Sequence, residues 1–175
     1  MTLRIIEAEI AHIAAIKAIY AHWVTTGLAS FEETPPDPAE MDRRRREVQA
    51  KGLPYIAGLD GASLLGFAYA GPYRTRPAYR HTVEDSVYVA PDAHGRGVGQ
   101  ALLGRLIALA EARKLRQMVA VIGDSANQAS IGLHEALGFQ RVGVLRAVGF
   151  KHGRWVDSVL MQRALGPGDE TLPQD

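Results

Sequence analysis

The order of predicted elements indicates an α/β (α+β) fold in which one central mixed sheet carries helices on both faces. Over 175 residues, apolar positions recur at strand or helix spacing to give a strand, two helices, three strands, a helix, a strand, a helix and two strands. The strands are apolar enough to need cover on both sides. The length suits one domain, which we place at residues 1–165, before a disordered tail at 166–175 rich in Gly, Pro and acids.

The first half of the chain is predicted to form four strands and two helices. Apolar residues recur at helical spacing within Ala11–Trp23. After a proline-containing loop, Asp37-Pro38-Ala39-Glu40 supplies an N-cap, a proline in the first turn and a reciprocal Glu, so we expect a helix from there to about Lys51. Asp60-Gly61 indicates a hairpin turn. The predicted strands are Leu3–Glu7, Pro54–Leu59, Leu64–Ala70 and Thr82–Val89.

The second half is predicted to form two helices and three strands. Apolar residues from Leu102 to Ala110 define a long amphipathic helix. A further helix runs from about Asn127 to Leu137 and is closed by Gly138, a residue type favoured after the last turn. The predicted strands are Met118–Ile122, Gln140–Val148 and Arg154–Met161, the last two joined as a hairpin across Lys151-His152-Gly153.

Composition and charge exclude several classes of protein. Twenty Lys and Arg against nineteen Asp and Glu give a net charge of +1, so no global field attracts nucleic acid or an anionic membrane. The N-terminus lacks the apolar core of a signal peptide, and no eighteen consecutive residues are apolar. We therefore expect a soluble, cytoplasmic protein.

Two side-chain groups that resemble binding sites have simpler interpretations. The run Arg43 to Arg46 is flanked by acids on a predicted helix, so we interpret it as a solvated helix face and expect no nucleic-acid partner. The chain has no Cys, and its six His show no H-E-x-x-H or similar ligand spacing. No metal is therefore expected.

The most informative segment is a glycine-rich turn between a strand and a helix. The strand ends at Val89, a proline-containing turn follows, and Gly95, Gly97 and Gly99 precede the next helix. Glycines let the backbone approach a phosphate closely, and the first free N–H groups of a helix stabilise negative charge. The Rossmann and Walker patterns are both absent here. The turn therefore predicts a diphosphate site, with a helix cap that binds no ligand as the alternative.

This turn resembles the pyrophosphate-binding motif of GNAT acetyltransferases, [QR]-x-x-G-x-[GA]. Gly97 and Gly99 occupy the glycine positions, whereas His94 replaces Gln or Arg. The helix that starts near Asn127 is similar to the family's N-x-x-[AS]-x-x-x-Y-x-x-x-G-[FY] segment, with His134 in place of the tyrosine. The resemblance implies a GNAT-like, mostly antiparallel sheet and acetyl-CoA as the cosubstrate.

The same resemblance implies which residues meet acetyl-CoA. Backbone N–H groups around Val87, Tyr88 and Val89 are placed to stabilise an oxyanion if their strand splays from its neighbour, as it does in the family. Asn127 is expected to contact the pantetheine arm. The residues expected at the diphosphate are His94, Gly95, Arg96, Gly97, Val98, Gly99 and Gln100.

A closer resemblance connects the chain with the phosphinothricin and methionine sulfoximine acetyltransferases. It rests on the segments Ala70–Arg74, Thr82–Val89 and Gly149–Asp157. Those enzymes acetylate the free amine of glutamate-like inhibitors and act as homodimers. The resemblance implies a small amine acceptor and a homodimer for this chain.

Transfer to an amine requires a base, because an aliphatic amine is mostly ammonium at neutral pH. Glu84 is our candidate, since it lies on the strand that enters the glycine turn and matches the Glu given this role in similar enzymes; a solvated or ion-paired carboxylate is the alternative. Adjacent Asp85 should point to the opposite face of the strand. His134 is our candidate to protonate the departing thiolate, with a structural role as the alternative.

The loop before Glu84 carries three arginines and two tyrosines. Guanidinium groups suit carboxylate and phosphinate oxygens. Arg74 and Arg76 match the basic residues with which similar enzymes hold the inhibitor's anionic groups, and a solvated basic loop is the alternative. The predicted acceptor-binding residues are Phe31, Tyr73, Arg74, Thr75, Arg76, Glu84, Asp85 and Ser86.

Two other functions stay open on the sequence alone. A non-catalytic CoA-binding module would keep the glycine turn but show no turnover. A different GNAT enzyme would acetylate a peptide N-terminus or a polyamine, although a polyamine site favours acids where this loop has arginines. Fold and cofactor motif do not identify the acceptor, because both host many.

Overall fold

A computed structural model describes residues 2–173 and places seven strands in one sheet with four α-helices against it. The strands are β1 (Leu3–Glu7), β2 (Tyr55–Asp60), β3 (Ser63–Pro72), β4 (Thr82–Val89), β5 (Gln117–Gly123), β6 (Gln140–Lys151) and β7 (Arg154–Ala164). The helices are α1 (Ile13–Thr26), α2 (Pro38–Ala50), α3 (Val98–Ala112) and α4 (Gln128–Ala136). The spatial order of strands is β1-β2-β3-β4-β5-β7-β6. The predicted class is confirmed.

The centre of the sheet contains a parallel pair whose strands separate. Within residues 2–173, β4 and β5 pair in parallel and every other neighbouring pair is antiparallel. The parallel pairing joins Thr82–Asp85 to Gln117–Ala120. Both strands continue beyond it, to Val89 and Gly123. Their second halves therefore diverge and leave a wedge between β4 and β5 that opens toward α3.

Side-chain alternation along β4 assigns the helices to the two faces of the sheet. The Tyr88 ring meets the Tyr20 ring of α1 edge to face, with centroids 5.0 Å apart. Val89, on the opposite side of the strand, lies against Gly99 of α3. Helices α1 and α2 therefore cover one face, and α3 and α4 cover the other. Large fully buried core side chains are Ile16, Tyr55, Phe67, Leu102, Leu103, Leu106 and Met118.

Local capping signals predicted the helix ends well. The Asp37 side chain accepts a hydrogen bond from the Glu40 N–H at 2.8 Å, as expected for the cap of α2. Asn127 caps α4 in the same way, accepting from the Ser130 N–H at 3.1 Å. Gly138, which follows α4, adopts a left-handed φ of 84°. These ends depend on contacts within three or four residues.

The start of α1, the end of β6 and the pairing of β6 show local geometry that the predictions lack. The first helix begins at Ile13, because Ile10–His12 form a 3₁₀ turn in which the His12 ring accepts from the Glu9 N–H at 2.9 Å. Strand β6 continues through Lys151, so the terminal hairpin turns at residues 152–153 alone. Its pairing with β7 is irregular between residues 145 and 149, where Ala147 has a left-handed φ of 52°.

Part of the predicted tail, within residues 166–173, contacts Arg116. Arg116 donates hydrogen bonds to the carbonyl oxygens of Gly168 and Leu172 at 3.1 and 2.8 Å, and to the Thr171 hydroxyl at 3.0 Å. One guanidinium group thus holds a turn that Gly- and Pro-rich composition does not reveal. Residues 174 and 175 of the predicted tail lie outside the described residues. The division of the chain at residue 165 stays a prediction.

Candidate active site

The wedge between β4 and β5 presents backbone donors that no strand uses. The Ala90 N–H donates to the Leu65 carbonyl on the β3 side at 2.8 Å. Successive residues of a strand direct their N–H groups to opposite sides, so the N–H groups of Val87 and Val89 point into the wedge, whereas that of Tyr88 points to β3. Two of the three predicted oxyanion donors therefore face the wedge.

The glycine turn has the geometry of an anion site. Gly95 and Gly97 have left-handed φ values of 72° and 77°, which a side chain disfavours. Gly97 caps α3, and its carbonyl accepts the first intrahelical hydrogen bond, from the Ala101 N–H at 3.0 Å. The N–H groups of residues 98–100 precede that bond and have no intrahelical acceptor. The positive end of the helix dipole adds to them.

Side chains around the turn contribute unequally. Trp23 of α1 donates from its indole Nε1 to the Val89 carbonyl at 2.8 Å. The His94 ring lies against that indole, with centroids 5.1 Å apart. Arg96 instead reaches away from the wedge, and its guanidinium lies 3.7 Å from an Asp60 carboxylate oxygen. The turn therefore includes the backbone of Arg96, while the structure places its side chain elsewhere.

A groove of about 320 Å³ runs along the turn and into the wedge. Its described lining contains no Asp or Glu side chain, which suits a polyanionic ligand. A smaller cavity of about 60 Å³ adjoins its inner end and is lined by Asp85, Ser86 and His134 among others. Of the predicted cofactor residues, those lining the groove are Val87, Tyr88, Val89, His94, Gly95, Gly97, Val98, Gly99, Gln100 and Asn127.

Six residues of the groove were not predicted. They are Trp23, Ala29, Ala93, Ala129, Ser130 and Leu133. Ser130 occupies the small-residue position of the downstream helix motif and could have been found from it. From sequence, Trp23 is predicted only as part of an apolar helix face. Ala29 carries no local signal, because only the tertiary fold brings its loop to the wedge.

Glu84 lies on the face of β4 opposite Asp85, and its side chain lines neither the groove nor the inner cavity. It shares the α1 and α2 face with Ser86 and Tyr88 by side-chain alternation, as predicted relative to Asp85. Burial raises the pKa of Glu84, the negative charge of Asp85 raises it further, and the Arg74 guanidinium partly opposes the change. A carboxyl group with a raised pKa is better matched to accept a proton from an ammonium group.

Asp85 is buried and contacts the ring of His134. It is 7% exposed, and one carboxylate oxygen lies 3.0 Å from Nε2 of His134, which is itself 4% exposed. The second ring nitrogen of His134 lies 2.7 Å from the Ser130 carbonyl oxygen. The predicted contact of Asp85 with the acceptor does not match this geometry, because its side chain is directed to α4.

The two acceptors around His134 favour its protonated form. An ionised carboxylate and a carbonyl both accept hydrogen bonds, so an imidazolium with two N–H groups satisfies both contacts. Burial lowers the pKa of His134, but the hydrogen bond and charge of Asp85 outweigh it with help from Ser130, and the net change is upward. Donation to a thiolate would require one of these bonds to break, and the acid role stays a prediction.

The arginine loop lies at the far end of β4 from the glycine turn. Arg74 is exposed, with its guanidinium 5.0 Å from the Tyr73 ring centroid, and Tyr79 meets that ring edge to face at 5.7 Å. Arg76 is also exposed and precedes a short 3₁₀ turn. The two arginines and Thr75 line a separate groove of about 560 Å³ together with Lys51, Arg80 and Arg113. The structure thus brings the charge of Arg74 to Glu84 but does not place Arg76 in the wedge.

The loop between α1 and α2 covers the inner end of the wedge. Phe31 of this loop is 42% exposed and lies over Gly149 of β6, where an added Cβ would come within 2.8 Å of the ring. Gly123 at the end of β5 lies beneath the same ring and the Leu28 carbonyl. Phe31 is therefore positioned beside the wedge, as the prediction of an acceptor contact requires.

The four consecutive arginines of α2 are engaged with acids. Glu40 binds the guanidinium groups of Arg43 and Arg44, which lower the pKa of its carboxyl to about 2. Asp42 binds Arg45 and Arg46.

Across residues 2–173, no three or more His, Asp or Glu side chains gather where they could hold a metal ion. None of the helices described is long and apolar enough to cross a membrane.

A family model for acetyltransferases of the GNAT type matches residues 16–139, which include the wedge, the glycine turn and α4. The chain belongs to the acetyltransferase (GNAT) family. As a GNAT member it is an N-acetyltransferase, and acetyl-CoA is its cosubstrate. Membership of this family explains why the order of elements and the two sequence motifs resemble those of GNAT enzymes.

Relatives of this GNAT enzyme include proteins with named acceptors. It is 56% identical over 173 residues to a phosphinothricin N-acetyltransferase of Alcaligenes faecalis, covering 99% of this chain and 87% of that one. It is 42% identical to an L-methionine sulfoximine/L-methionine sulfone acetyltransferase of Pseudomonas aeruginosa, covering 95% and 97%. A Sinorhizobium meliloti phosphinothricin acetyltransferase solved with acetyl-CoA superposes with a TM-score of 0.97 at 46% identity, covering 100% and 95%.

Replacement of Gly97 should abolish the thermal stabilisation by acetyl-CoA. A β-branched residue at φ 77° is strongly disfavoured, so Gly97→Val distorts the turn. At a hundredfold excess over its dissociation constant, acetyl-CoA should stabilise the wild type by about 2.7 kcal/mol, which is several degrees of melting temperature. The matched control is Gly104→Ala, a helical glycine of α3 with open space around it, which should keep the shift. An unchanged shift in Gly97→Val would remove the diphosphate from this turn.

The Asp85–His134 pair should make stability depend on pH with a defined sign. The pKa of His134 is raised in the fold, so its contribution is fully present below the unfolded pKa and is lost as pH rises through the folded pKa. Asp85→Asn should therefore cost more at pH 6 than at pH 9, about 1.5–3 kcal/mol at the lower pH for a charged hydrogen bond. Chemical denaturation measures the difference. Equal losses at both pH values would show that His134 is not an imidazolium.

Proposed function

We propose that this enzyme transfers the acetyl group of acetyl-CoA directly to the free amine of a small amino-acid-like acceptor, such as phosphinothricin or methionine sulfoximine. The observation that carries the proposal is the wedge, where a ligand bound along the glycine turn has its inner end beside β4. Glu84 lies on the face of β4 opposite Asp85, and Phe31 lies over Gly123 and Gly149 beside the wedge. The named acceptors of the relatives support the choice of substrate class.

The groove residues fit the cosubstrate chemically. Backbone N–H groups of residues 98–100 and the left-handed glycines before them suit a diphosphate. Asn127 lines both the groove and the inner cavity, which suits a contact with the pantetheine arm, although its side chain also caps α4. Acetyl-CoA supplies an activated acetyl thioester. The protein has to orient it and remove a proton from the acceptor.

Glu84 is the group we assign to proton removal, directly or through water. Its raised pKa and its position on the face covered by α1 and α2 support this role. The N–H groups of Val87 and Val89 are then the donors for the oxyanion that forms as the amine nitrogen attacks the thioester carbonyl. His134 lies on the other face of β4 and lines the inner cavity, and its raised pKa favours the imidazolium form that could protonate the departing thiolate.

Arg74 and Arg76 are the groups we assign to the acceptor's anionic ends. Both are exposed, and a guanidinium fork suits carboxylate and phosphinate oxygens. The charge of Arg74 acts on Glu84, which supports a place for this loop near the acceptor. Phe31, Tyr73, Thr75 and Ser86 would complete the contacts.

A homodimer is the assembly we propose. The outer strand β6 and its hairpin expose six large apolar side chains, an arrangement typical of an interface rather than of a monomer's surface. The exposed residues are Val142, Val144, Leu145, Val148, Phe150 and Trp155. The resemblance to dimeric enzymes implies that a second copy of the chain covers this surface.

The cytoplasmic location also stays a prediction.

A different GNAT acceptor is the second candidate, because fold and cosubstrate do not exclude a peptide N-terminus or a polyamine. The loop at residues 73–80 carries arginines and no acid, which counts against a cationic polyamine. A screen of purified protein with acetyl-CoA and a panel of amines, read as thiol release, separates these acceptors. It also separates an enzyme from a CoA-binding module without turnover.

Glu84→Gln should lower turnover at pH 7 by about 100-fold, because general-base help is typically of this size. Stabilisation by acetyl-CoA should remain, since the glycine turn is unchanged. Wild-type activity should rise with pH through the raised pKa of Glu84, because the base acts when deprotonated. The variant should lack that step and recover partly at high pH. Glu47→Gln, on the exposed surface of α2, is the control, and wild-type turnover in Glu84→Gln would exclude Glu84 as the base.

Arg74→Ala and Arg76→Ala should each lower kcat/KM for phosphinothricin by about 10- to 150-fold, which corresponds to about 1.5–3 kcal/mol for a charged hydrogen bond. Acetyl-CoA affinity should change little. A matched amine without the carboxylate should be a poor substrate, and the variants should lose little further on it. Arg46→Ala on α2 is the control. Equal losses on both amines would mean that the loop acts through folding.

In solution the enzyme should have twice the 19.0 kDa mass of the chain. Val144→Glu combined with Val148→Glu places charge in the exposed apolar surface of β6 and should give a monomer in sedimentation experiments. Ile10→Glu, an exposed apolar position elsewhere, should leave the dimer intact. A wild type that sediments as a monomer contradicts the proposal.

A further inference from the structure

A buried lysine joins the last strands of the sheet to the loop over the wedge. Lys151 is 2% exposed, and its ammonium donates hydrogen bonds to the carbonyl oxygens of Gly27 and Ser30 at 3.0 and 2.7 Å. The donor and the acceptors are more than 120 residues apart in sequence. A buried cation requires such partners, because removing its charge from water is costly.

The groups around the Lys151 ammonium are two backbone carbonyls and two nearby acids. Burial lowers the pKa of its ammonium, while the charges of Glu33 and Glu32 in the same loop oppose the change. Both hydrogen-bond acceptors are backbone atoms, so the ammonium binds the course of the loop and not one of its side chains. A smaller or apolar residue in this place would leave two carbonyl groups without a donor.

Two glycines next to the lysine admit the same loop. Gly149, two residues before Lys151, has no side chain where the Phe31 ring lies, and an added Cβ would come within 2.8 Å of it. Gly123 at the end of β5 makes room for the Leu28 carbonyl and the edge of that ring. The loop therefore packs on β5 and β6 because Gly123 and Gly149 have no side chains there, and the Lys151 ammonium holds it in place.

The loop at residues 27–31 contributes to the groove and the inner cavity and is connected to β4. Ala29 lines the groove and the inner cavity together. The Ser30 hydroxyl shares a hydrogen bond of 3.0 Å with the Tyr20 hydroxyl, and the Tyr20 ring packs on Tyr88 of β4. Movement of residues 27–31 would therefore change the space in which the acetyl end of the cosubstrate and the acceptor have to meet.

We propose that Lys151 is a positioning residue for the acceptor: by holding the Gly27 and Ser30 carbonyl groups, its ammonium fixes Phe31 and Ala29 over the inner end of the wedge. The inference rests on the proposed function, because it takes the acceptor to approach under Phe31. Its first part, that the lysine orders the loop, can be tested without any catalytic measurement.

Hydrogen exchange measures the loop directly. In Lys151→Met, which keeps an unbranched side chain but removes the charge and the donors, amides of residues 27–33 should exchange at least about ten-fold faster. Amides of β1 and β2 should be unchanged. His152→Asn is the matched control, since that exposed residue is next in the chain, has a left-handed φ of 51° that Asn tolerates, and should leave exchange at wild-type rates.

Steady-state kinetics measures the consequence for the acceptor. Lys151→Met should raise the KM of the amine by about ten-fold, because a displaced Phe31 weakens the contact with the acceptor, with kcat and acetyl-CoA affinity within about three-fold of wild type. In a Phe31→Ala background the same substitution should raise the KM less than two-fold, because residues that act through one contact are not additive. A lysine with a merely structural role would lower the melting temperature without this dependence on Phe31.

Gly149→Ala provides an independent variant should Lys151→Met fail to fold. Its added methyl group displaces the Phe31 ring while the ammonium remains, so it should raise the amine KM in the same direction. Unchanged exchange in Lys151→Met, or an equal rise of both substrates' KM values, would overturn the positioning role. Faster exchange in a protein that acetylates no amine of the panel would instead contradict the proposed acceptor class and leave the ordering of the loop established.

Discussion

The separation of β4 from β5 after four paired residues is the constraint on which the site depends. Strands that stayed paired would use the N–H groups of Val87 and Val89 in the ladder and leave no groove. Because they part, one strand keeps full pairing with β3 while its other edge is free to bind a ligand. A short 3₁₀ turn and the glycine turn connect that strand to α3, so the free N–H groups of the strand edge and those at the start of α3 lie at two places along one groove.

Side-chain alternation on β4 then separates two chemical tasks. Asp85 and Val87 lie on the face of β4 that carries α4, while Glu84 and Ser86 lie on the face covered by α1 and α2. Adjacent carboxyl groups thus have different environments: one lies 3.0 Å from the ring of His134, and the other has its pKa raised by burial. A single strand can in this way hold a base on one side and a proton-bearing pair on the other.

Local signals made much of this predictable, and long-range contacts made the rest unpredictable. The bounds of β4, the Asp37 cap and the left-handed Gly97 depend on neighbours within a few residues, so the sequence predicts them. The partner of His134 lies 49 residues away, and the acceptors of Lys151 lie more than 120 away. Nothing in a turn such as Lys151-His152-Gly153 indicates a buried cation. The contact of Asp85 with His134 is equally hidden in the sequence, which instead predicts that Asp85 meets the acceptor.

The distribution of buried polar groups explains why these long-range contacts are concentrated at one place. Among the described residues, the buried polar or charged side chains are Ser30, Asp85, His134, Lys151 and Ser158. The first four hold the walls of the wedge, and Ser158 pairs with Gly123 at the end of β5. A buried ionic group contributes little net stability compared with an apolar one of the same shape. Their placement around the wedge therefore serves the geometry of the site, while the apolar core under α3 and α1 supplies the stability that carries them.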